Sequence, residues 1–117
     1  MEEKTDIDRK IDALLKKDST TQGMSAAMIE GYRLWDTELN RVYKELNAKL
    51  PTPQKGQLQA SQRSWIAWRD AEFKLIDALY SKVQGSMSQA DRRSDRMEIV
   101  RQRALELRRL NKLAQQA

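Results

Sequence analysis

Carboxylates and lysines are the side chains that could do chemistry in this sequence, because its 117 residues include no histidine and no cysteine. The chain therefore has no imidazole general base, no thiolate nucleophile and neither of the ligands that zinc and copper prefer. Asp36, Asp70 and Glu72 could in principle form a catalytic carboxylate pair. Acids that stand among arginines on helices are, however, usually ion-paired at the surface. We expect no catalytic residue, no bound metal and no cofactor.

Arginine is concentrated in the last third of the chain. Residues 91–112 carry eight basic side chains against four acidic ones, which accounts for most of the net charge of +5. One hypothesis is therefore an anion-binding or nucleic-acid-binding helical module. A solvated helix face is the alternative, because helical spacing spreads these residues around the cylinder, and Glu98 and Glu106 each precede an arginine by three residues. The basic residues are Arg92, Arg93, Arg96, Arg101, Arg103, Arg108, Arg109 and Lys112.

The composition favours an all-α fold. Charged residues make up 33% of the chain, and there are only 4 glycines and 2 prolines. A short first helix is predicted around Ile7, Ile11, Leu14 and Leu15, before the cap-like residues 18–21. A second helix of about 25 residues is predicted from one apolar stripe and ends at Pro51. That stripe consists of Met28, Tyr32, Trp35, Leu39, Val42 and Leu46.

The connection after the second helix is short. Thr52 and Pro53 can cap and start a third helix at once, so helices two and three should form an antiparallel hairpin. The third helix is apolar on two sides and should end near Gly85. A fourth helix should start at a cap formed by Ser88 with Asp91 and fray from Leu113 onward. We expect one domain, with a short N-terminal helix in residues 1–20 and a helical domain in residues 21–113.

The hairpin predicts which residues face each other. A turn at residues 51–53 pairs positions whose numbers sum to about 104, so Asp36 should form a partly buried ion pair with Arg69. Asn40, Gln62 and Tyr43 should form a hydrogen-bond network beside it. A structural role in fixing helix register and a role in binding both remain open. Further apolar residues could pack on helices one or four or on a second copy of the chain: Ile66, Phe73, Ile76 and Tyr80.

The order of motifs between Met24 and Leu107 resembles the LprI-like lysozyme-inhibitor N-terminal domain family. Helix two contributes Asp36, Leu39, Asn40 and Tyr43, and the turn contributes Gly85, Ser86 and Met87. Helix three contributes Gln62, Trp65, Arg69 and Asp70, and the end of helix four continues the match. The resemblance implies an all-α bacterial envelope protein, periplasmic or secreted, that binds a protein partner without catalysis. Better-described members of the family inhibit lysozyme.

The chain departs from the family in its cysteines. Family members carry cysteines at places that correspond here to Ala27, Phe73 and Asp95. Without them the helices must be held by packing, to which Met28 and Phe73 should contribute. No apolar run approaches the length of a membrane span, and residues 1–6 lack the apolar core of a secretory signal, so the chain as written should be soluble.

The partner-binding surface is predicted at the Gly-containing turn. Residues Gln84, Gly85, Ser86 and Met87 could form a wedge at one end of the bundle. Trp68 is a further candidate, because it and Trp65 point in different directions on the helix and one of them could reach the surface. Charge argues against a lysozyme partner, since animal-type lysozymes are generally basic and would be repelled by a chain of net charge +5.

Overall fold

The chain is all-α, as predicted. The computed structural model describes residues 4–85 and 87–116, and over these residues the chain forms four helices. They are α1 (Asp6–Lys17), α2 (Thr21–Lys49), α3 (Thr52–Tyr80) and α4 (Met87–Gln115). None of the described helices is long and apolar enough to cross a membrane.

Side chains cap the free backbone amides at the starts of α1 and α2, and prolines stand at the start of α3. Thr5 and Asp8 form a reciprocal capping box at α1, with 3.0 Å between the Asp8 amide nitrogen and the Thr5 hydroxyl. Thr20 caps α2 by accepting from the Gly23 amide. The predicted cap of α3 is wrong by one residue, because Pro51 occupies the cap position and Thr52 is already helical.

A parallel pair of helices, α2 and α4, forms the centre of the molecule. Gly31 lies against Met97, Glu38 binds Arg108 and Glu45 binds Asn111, so residue numbers rise together along the two helices. The two can run parallel because α3 returns the chain to the end where α2 began. The fully buried side chains Trp35, Val42, Val100 and Leu107 all lie on this pair.

Helix α1 folds back antiparallel over α2. Asp18 lies close to Gly23, and the Ile11 side chain lies close to Gly31. Ile11 thereby joins the main core at 5% exposure.

Helix α3 runs antiparallel to α4 and contributes little to the apolar core. Gln62 contacts Arg103 near one end of the pair, and Asp77 contacts Arg96 near the other. Only Leu58 and Gln62 are buried among its 29 residues. The predicted hairpin register with α2 is confirmed at Tyr32 and Phe73, whose ring centroids are 6.3 Å apart.

Three predicted helix ends are wrong. Helix α3 ends at Tyr80 instead of near Gly85, because the chain tightens into a turn in which the Val83 amide donates to the Tyr80 carbonyl. Helix α4 begins at Met87, so Ser88 lies in its first turn and donates its hydroxyl to the Gly85 carbonyl. Helix α4 also continues through Leu113 to Gln115 without the predicted fraying.

Candidate functional site

One side of α3 carries large apolar side chains that no part of the described chain covers. Trp68, Leu75 and Leu79 are 49%, 51% and 60% exposed, and Val83 in the following turn is 52% exposed. Steps of seven and four residues place the first three on one side of the helix. We call Trp68, Leu75, Leu79 and Val83 the α3 outer face. Exposed apolar side chains contiguous along one helix are typical of a protein-binding surface.

Within α3, this side of the helix carries no lysine or arginine. The positions that complete it are Ser64, Ala71 and Ala78, which are exposed, and Glu72, which is partly buried. Trp68 and Leu79 are eleven residues apart, which is about 16 Å along the helix axis. A partner could therefore contact an apolar strip about three turns long.

The turn after α3 continues this surface. Gln84 and Gly85 are exposed, and Gly85 adopts a φ of 116°, a left-handed conformation that favours glycine. Met87 is 42% exposed and has the Thr21 hydroxyl 3.7 Å from its sulfur, so the turn lies beside the start of α2. Ser86, the remaining predicted binding residue, lies outside the described residues.

The residues that the sequence indicated as surface contacts differ in their exposure. Trp68 was predicted as a contact residue and is exposed, whereas Trp65 is partly buried. Of the apolar residues predicted to be spare, Ile66 is 38% exposed, but Phe73, Ile76 and Tyr80 are partly buried. Leu75 and Leu79 were missed as surface residues, although their spacing from Trp68 was visible in the sequence.

Arginines and aromatic rings hold α3 against the rest of the bundle. The Arg69 guanidinium lies 5.4 Å from the Trp65 ring centroid and 6.0 Å from that of Phe73. From α4, Arg96 lies 4.9 Å from the Phe73 centroid and Arg103 lies 5.9 Å from that of Trp65. All four are cation–π distances. Arg69, Trp65 and Phe73 all lie on α3, so of these contacts the ones made by Arg96 and Arg103 join α3 to α4.

The predicted ion pair between Asp36 and Arg69 is wrong. Arg69 donates to its neighbour Asp70 from Nε at 3.1 Å and from Nη2 at 2.9 Å, because its side chain lies flat along α3 over the rings. Within the described residues Asp36 makes no ion pair or hydrogen bond. Burial raises the pKa of Tyr32, and the nearby negative charge of Asp36 raises it further.

The predicted network of Asn40, Tyr43 and Gln62 is also wrong. Gln62 is buried, but its side-chain oxygen accepts from Arg103 Nε at 2.9 Å, so its partner is on α4. Arg103 also donates to the Ser61 hydroxyl at 3.2 Å, and burial lowers the pKa of this arginine. Leu39, a further family-motif residue, lies in the core at 2% exposure.

Most of the basic side chains of α4 are engaged within the fold. Arg92 and Arg96 bind Asp77, Arg101 binds Asp8, Arg108 binds Glu38, and Arg109 binds Glu106. Arg101 and Arg108 also lie against the ring of Trp35, at 5.7 and 5.5 Å from its centroid. The Arg109–Glu106 pair is exposed, but Arg92, Arg96, Arg101 and Arg108 neutralise acids of other helices and are therefore poorly available to phosphate. This arrangement argues against a nucleic-acid interface on α4.

Asp8 and Glu38, the two least exposed acids of these pairs, have pKa values below their usual range. Burial by itself raises the pKa of Asp8, but hydrogen bonds from Arg101 and Thr5 outweigh it and lower that pKa. The pKa of Glu38 is lowered in the same way, because hydrogen bonds from Arg41 and Arg108 outweigh its burial. Both carboxylates therefore stay ionised as structural partners. Across the described part of the chain, acidic side chains form no group that could hold a metal ion.

Comparison with known proteins agrees with this architecture. The chain matches the family described as lysozyme inhibitor LprI over residues 14–107. It is also similar to the crystal structure of an uncharacterized protein from Burkholderia thailandensis, with 32% sequence identity and a TM-score of 0.90. The match covers 98% of this chain and 58% of the Burkholderia chain, so this chain spans little more than half the length of that protein. No protein of curated function matches. Since the family match includes most of the chain, the chain belongs to the LprI lysozyme inhibitor family.

Proposed function

We propose that this chain is a non-catalytic protein-binding domain of the bacterial envelope that inhibits lysozyme, and that the α3 outer face contacts the enzyme. The observation that carries the proposal is the exposure of four large apolar side chains along one side of α3 and its turn. Truncating large apolar side chains at the centre of an interface typically costs much of the binding energy. Membership of the LprI family supplies the class of partner.

The charge distribution supports this choice of surface. A chain of net charge +5 repels a basic lysozyme at long range, so contact should occur where positive charge is sparse. The α3 outer face meets this condition. Lys82, in the turn beside Val83, makes no ion pair with any described residue, and lysozymes act through two carboxylates in an open cleft. Its ammonium group could approach those carboxylates once the apolar contact has formed.

The proposed absence of catalysis rests on composition and on the fold. Without histidine and cysteine, a catalytic site would have to be built chiefly from carboxylates and lysines. The acids with the strongest contacts, Asp8 and Glu38, are held by arginines in structural pairs. An inhibitor of an enzyme that degrades the cell wall acts outside the cytoplasm, so we place the protein in the periplasm or among secreted proteins.

Replacing Leu79 with glutamate tests the surface. The variant should inhibit an animal-type lysozyme at least about tenfold more weakly than the wild type, because the contact would then bury an unpaired carboxylate. The measurement is clearing of a bacterial cell-wall suspension by lysozyme at physiological salt, with a series of inhibitor concentrations. Leu79 is 60% exposed, so the substitution should not disturb folding.

Leu113→Glu is the matched control. Leu113 is 55% exposed near the C-terminal end of α4, away from the α3 outer face, and its substitution should leave inhibition unchanged. Wild-type protein that does not inhibit at all would exclude the tested lysozyme as partner. Equal inhibition by the wild type and Leu79→Glu would assign the contact to another surface.

A further inference from the structure

An open cleft separates α2 from α3 at the place where Asn40, Tyr43 and Gln62 were predicted to form a hydrogen-bond network. Its volume is about 290 Å³, and it is lined by Asn40, Tyr43, Gln59, Gln62, Arg63 and Ile66. Asn40 and Tyr43 approach it from α2, and the other four residues approach it from α3. The three family-motif residues Asn40, Tyr43 and Gln62 therefore meet around a cavity and do not bond to one another.

The polar groups around this cleft have unused hydrogen-bonding capacity. Among residues 4–85 and 87–116, the side chains of Asn40, Tyr43 and Gln59 have no hydrogen-bond partner. Gln62 uses its carbonyl oxygen to accept from Arg103, and its amide nitrogen donates to none of the described residues. Arg63 is exposed and makes no ion pair in the same part of the chain. Asn40 and Arg63 are exposed and Tyr43 and Gln59 are partly buried, so these donors and acceptors border an open cleft and are accessible to a ligand.

The chemistry of the lining selects a class of ligand. Each carboxamide offers two donors and an acceptor in one plane, which suits the adjacent hydroxyls and the acetamido groups of a sugar. The Tyr43 ring and Ile66 supply apolar surface for the C–H face of a pyranose ring. A single cation, Arg63, in an otherwise neutral lining suits a neutral or singly anionic ligand better than a polyanion.

The geometry points to a carbohydrate site, and we propose that this cleft binds a short N-acetylated oligosaccharide. Its volume is at the lower end of the range for small-molecule pockets, which fits one or two sugar rings. An extended peptide fits less well, because the cleft offers side-chain amides and no strand edge along which a peptide backbone could pair. This site is separate from the α3 outer face and goes beyond the proposed inhibition of lysozyme.

The test is a titration of the full chain with tri-N-acetylchitotriose, followed by ¹⁵N–¹H NMR and without lysozyme present. Saturable shifts are expected for the side-chain amides of Asn40, Gln59 and Gln62. The double substitution Asn40→Ala with Gln59→Ala should weaken binding at least about tenfold, since it removes two carboxamides from the lining. Neither residue is buried, so the fold should survive the change.

Gln57→Ala is the matched control, because Gln57 is an exposed glutamine on the same helix that does not line the cleft. It should bind the trisaccharide as the wild type does. Absence of saturable shifts, or equal affinity of the double variant, would overturn the proposal. Stronger shifts of the same amides with the neutral peptide N-acetyl-trialanine amide would overturn it in favour of a peptide site.

Discussion

Gly31 shows how a single residue permits the packing of three helices. A Cβ atom at this position would lie 2.4 Å from the Met97 sulfur and 2.9 Å from Ile11 Cδ1. Both neighbours are buried, so neither can move into solvent to make room. The absence of a side chain at Gly31 therefore lets α1 and α4 approach α2 at the same level.

Substituting alanine at Gly31 should destabilise the protein by about 1 to 3 kcal/mol, the usual cost of adding a methyl group to a filled core. Gly56→Ala is the control, because a Cβ there has no neighbour within 4 Å and Gly56 is exposed on α3. It should stabilise the protein by about 0.5 to 1 kcal/mol through higher helix propensity. Denaturant unfolding of both variants checks the opposite signs, and a stabilised Gly31→Ala would contradict the packing described here.

At the level of helices, an ion pair attaches α1 to α4 in addition to apolar contacts. Asp8 accepts from Arg101 Nε at 3.0 Å and from Nη2 at 3.1 Å, and its side chain is only 16% exposed. Asp8 also belongs to the capping box of α1. The Asp8 carboxylate therefore stabilises the first turn of α1 and also holds α1 against α4.

Asp8→Asn should cost about 1 to 3 kcal/mol near neutral pH, because Arg101 loses a charged partner in a partly buried place. Since the pKa of Asp8 is lower in the folded state, its contribution is present above the unfolded value of about 4 and is lost as pH falls through the folded pKa. Wild-type stability should therefore fall more steeply than that of the variant below about pH 5. Thermal melts across this pH range measure the difference.

The control for this pair is Asp6→Asn in the same helical turn. The Asp6 side chain is 92% exposed and binds Arg9 at the surface, where ion pairs contribute little. Its substitution should leave both the stability and its acid dependence nearly unchanged. Equal effects of the two substitutions would mean that α1 is not docked through Asp8.

At the scale of the whole molecule, most of the net positive charge lies on α4, whereas the apolar contact surface lies on α3. The molecule is elongated, with extents of 49 × 30 × 23 Å, and α3 presents its apolar outer face while several arginines of α4 are paired internally. Association with a basic enzyme would thus be driven by apolar burial against an unfavourable long-range field.

Inhibition of a basic lysozyme should therefore strengthen or stay constant when ionic strength rises from about 0.01 M to about 0.15 M, because salt screens the repulsion between the two proteins. The measurement is the inhibition constant at both salt concentrations, with uninhibited lysozyme assayed in each buffer as the control. A constant that rises steeply with salt would show that complementary charges, and not the α3 outer face, drive the complex.

Part of the candidate site was predictable from residue spacing. Trp68 and the residues around Gly85 were chosen as candidates, because a tryptophan off the main stripe and a glycine between two helices are local signals, and their role in binding stays a prediction. Leu75 and Leu79 were not recognised, because α3 is apolar on two sides and spacing alone does not show which side is covered. The cleft at Asn40 and Gln59 could not be predicted either, since it depends on a gap between two helices.

The four helices and the apolar stripe of α2 follow from the order of residues alone, because helical period and caps are local properties. Trp35, Leu39, Val42 and Leu46 of the predicted α2 stripe are buried, and α4 buries Met97, Val100, Ala104 and Leu107 at the same helical spacing. Which helix covers which stripe depends on how the helices pack. The short connection at Pro51 requires α3 to turn back along α2, but the closest fit to α2 is made by α4, where Gly31 admits Met97 and Trp35 lies against Arg101 and Arg108. That choice depends on the complementarity of surfaces far apart in the chain, and it leaves the outer face of α3 exposed.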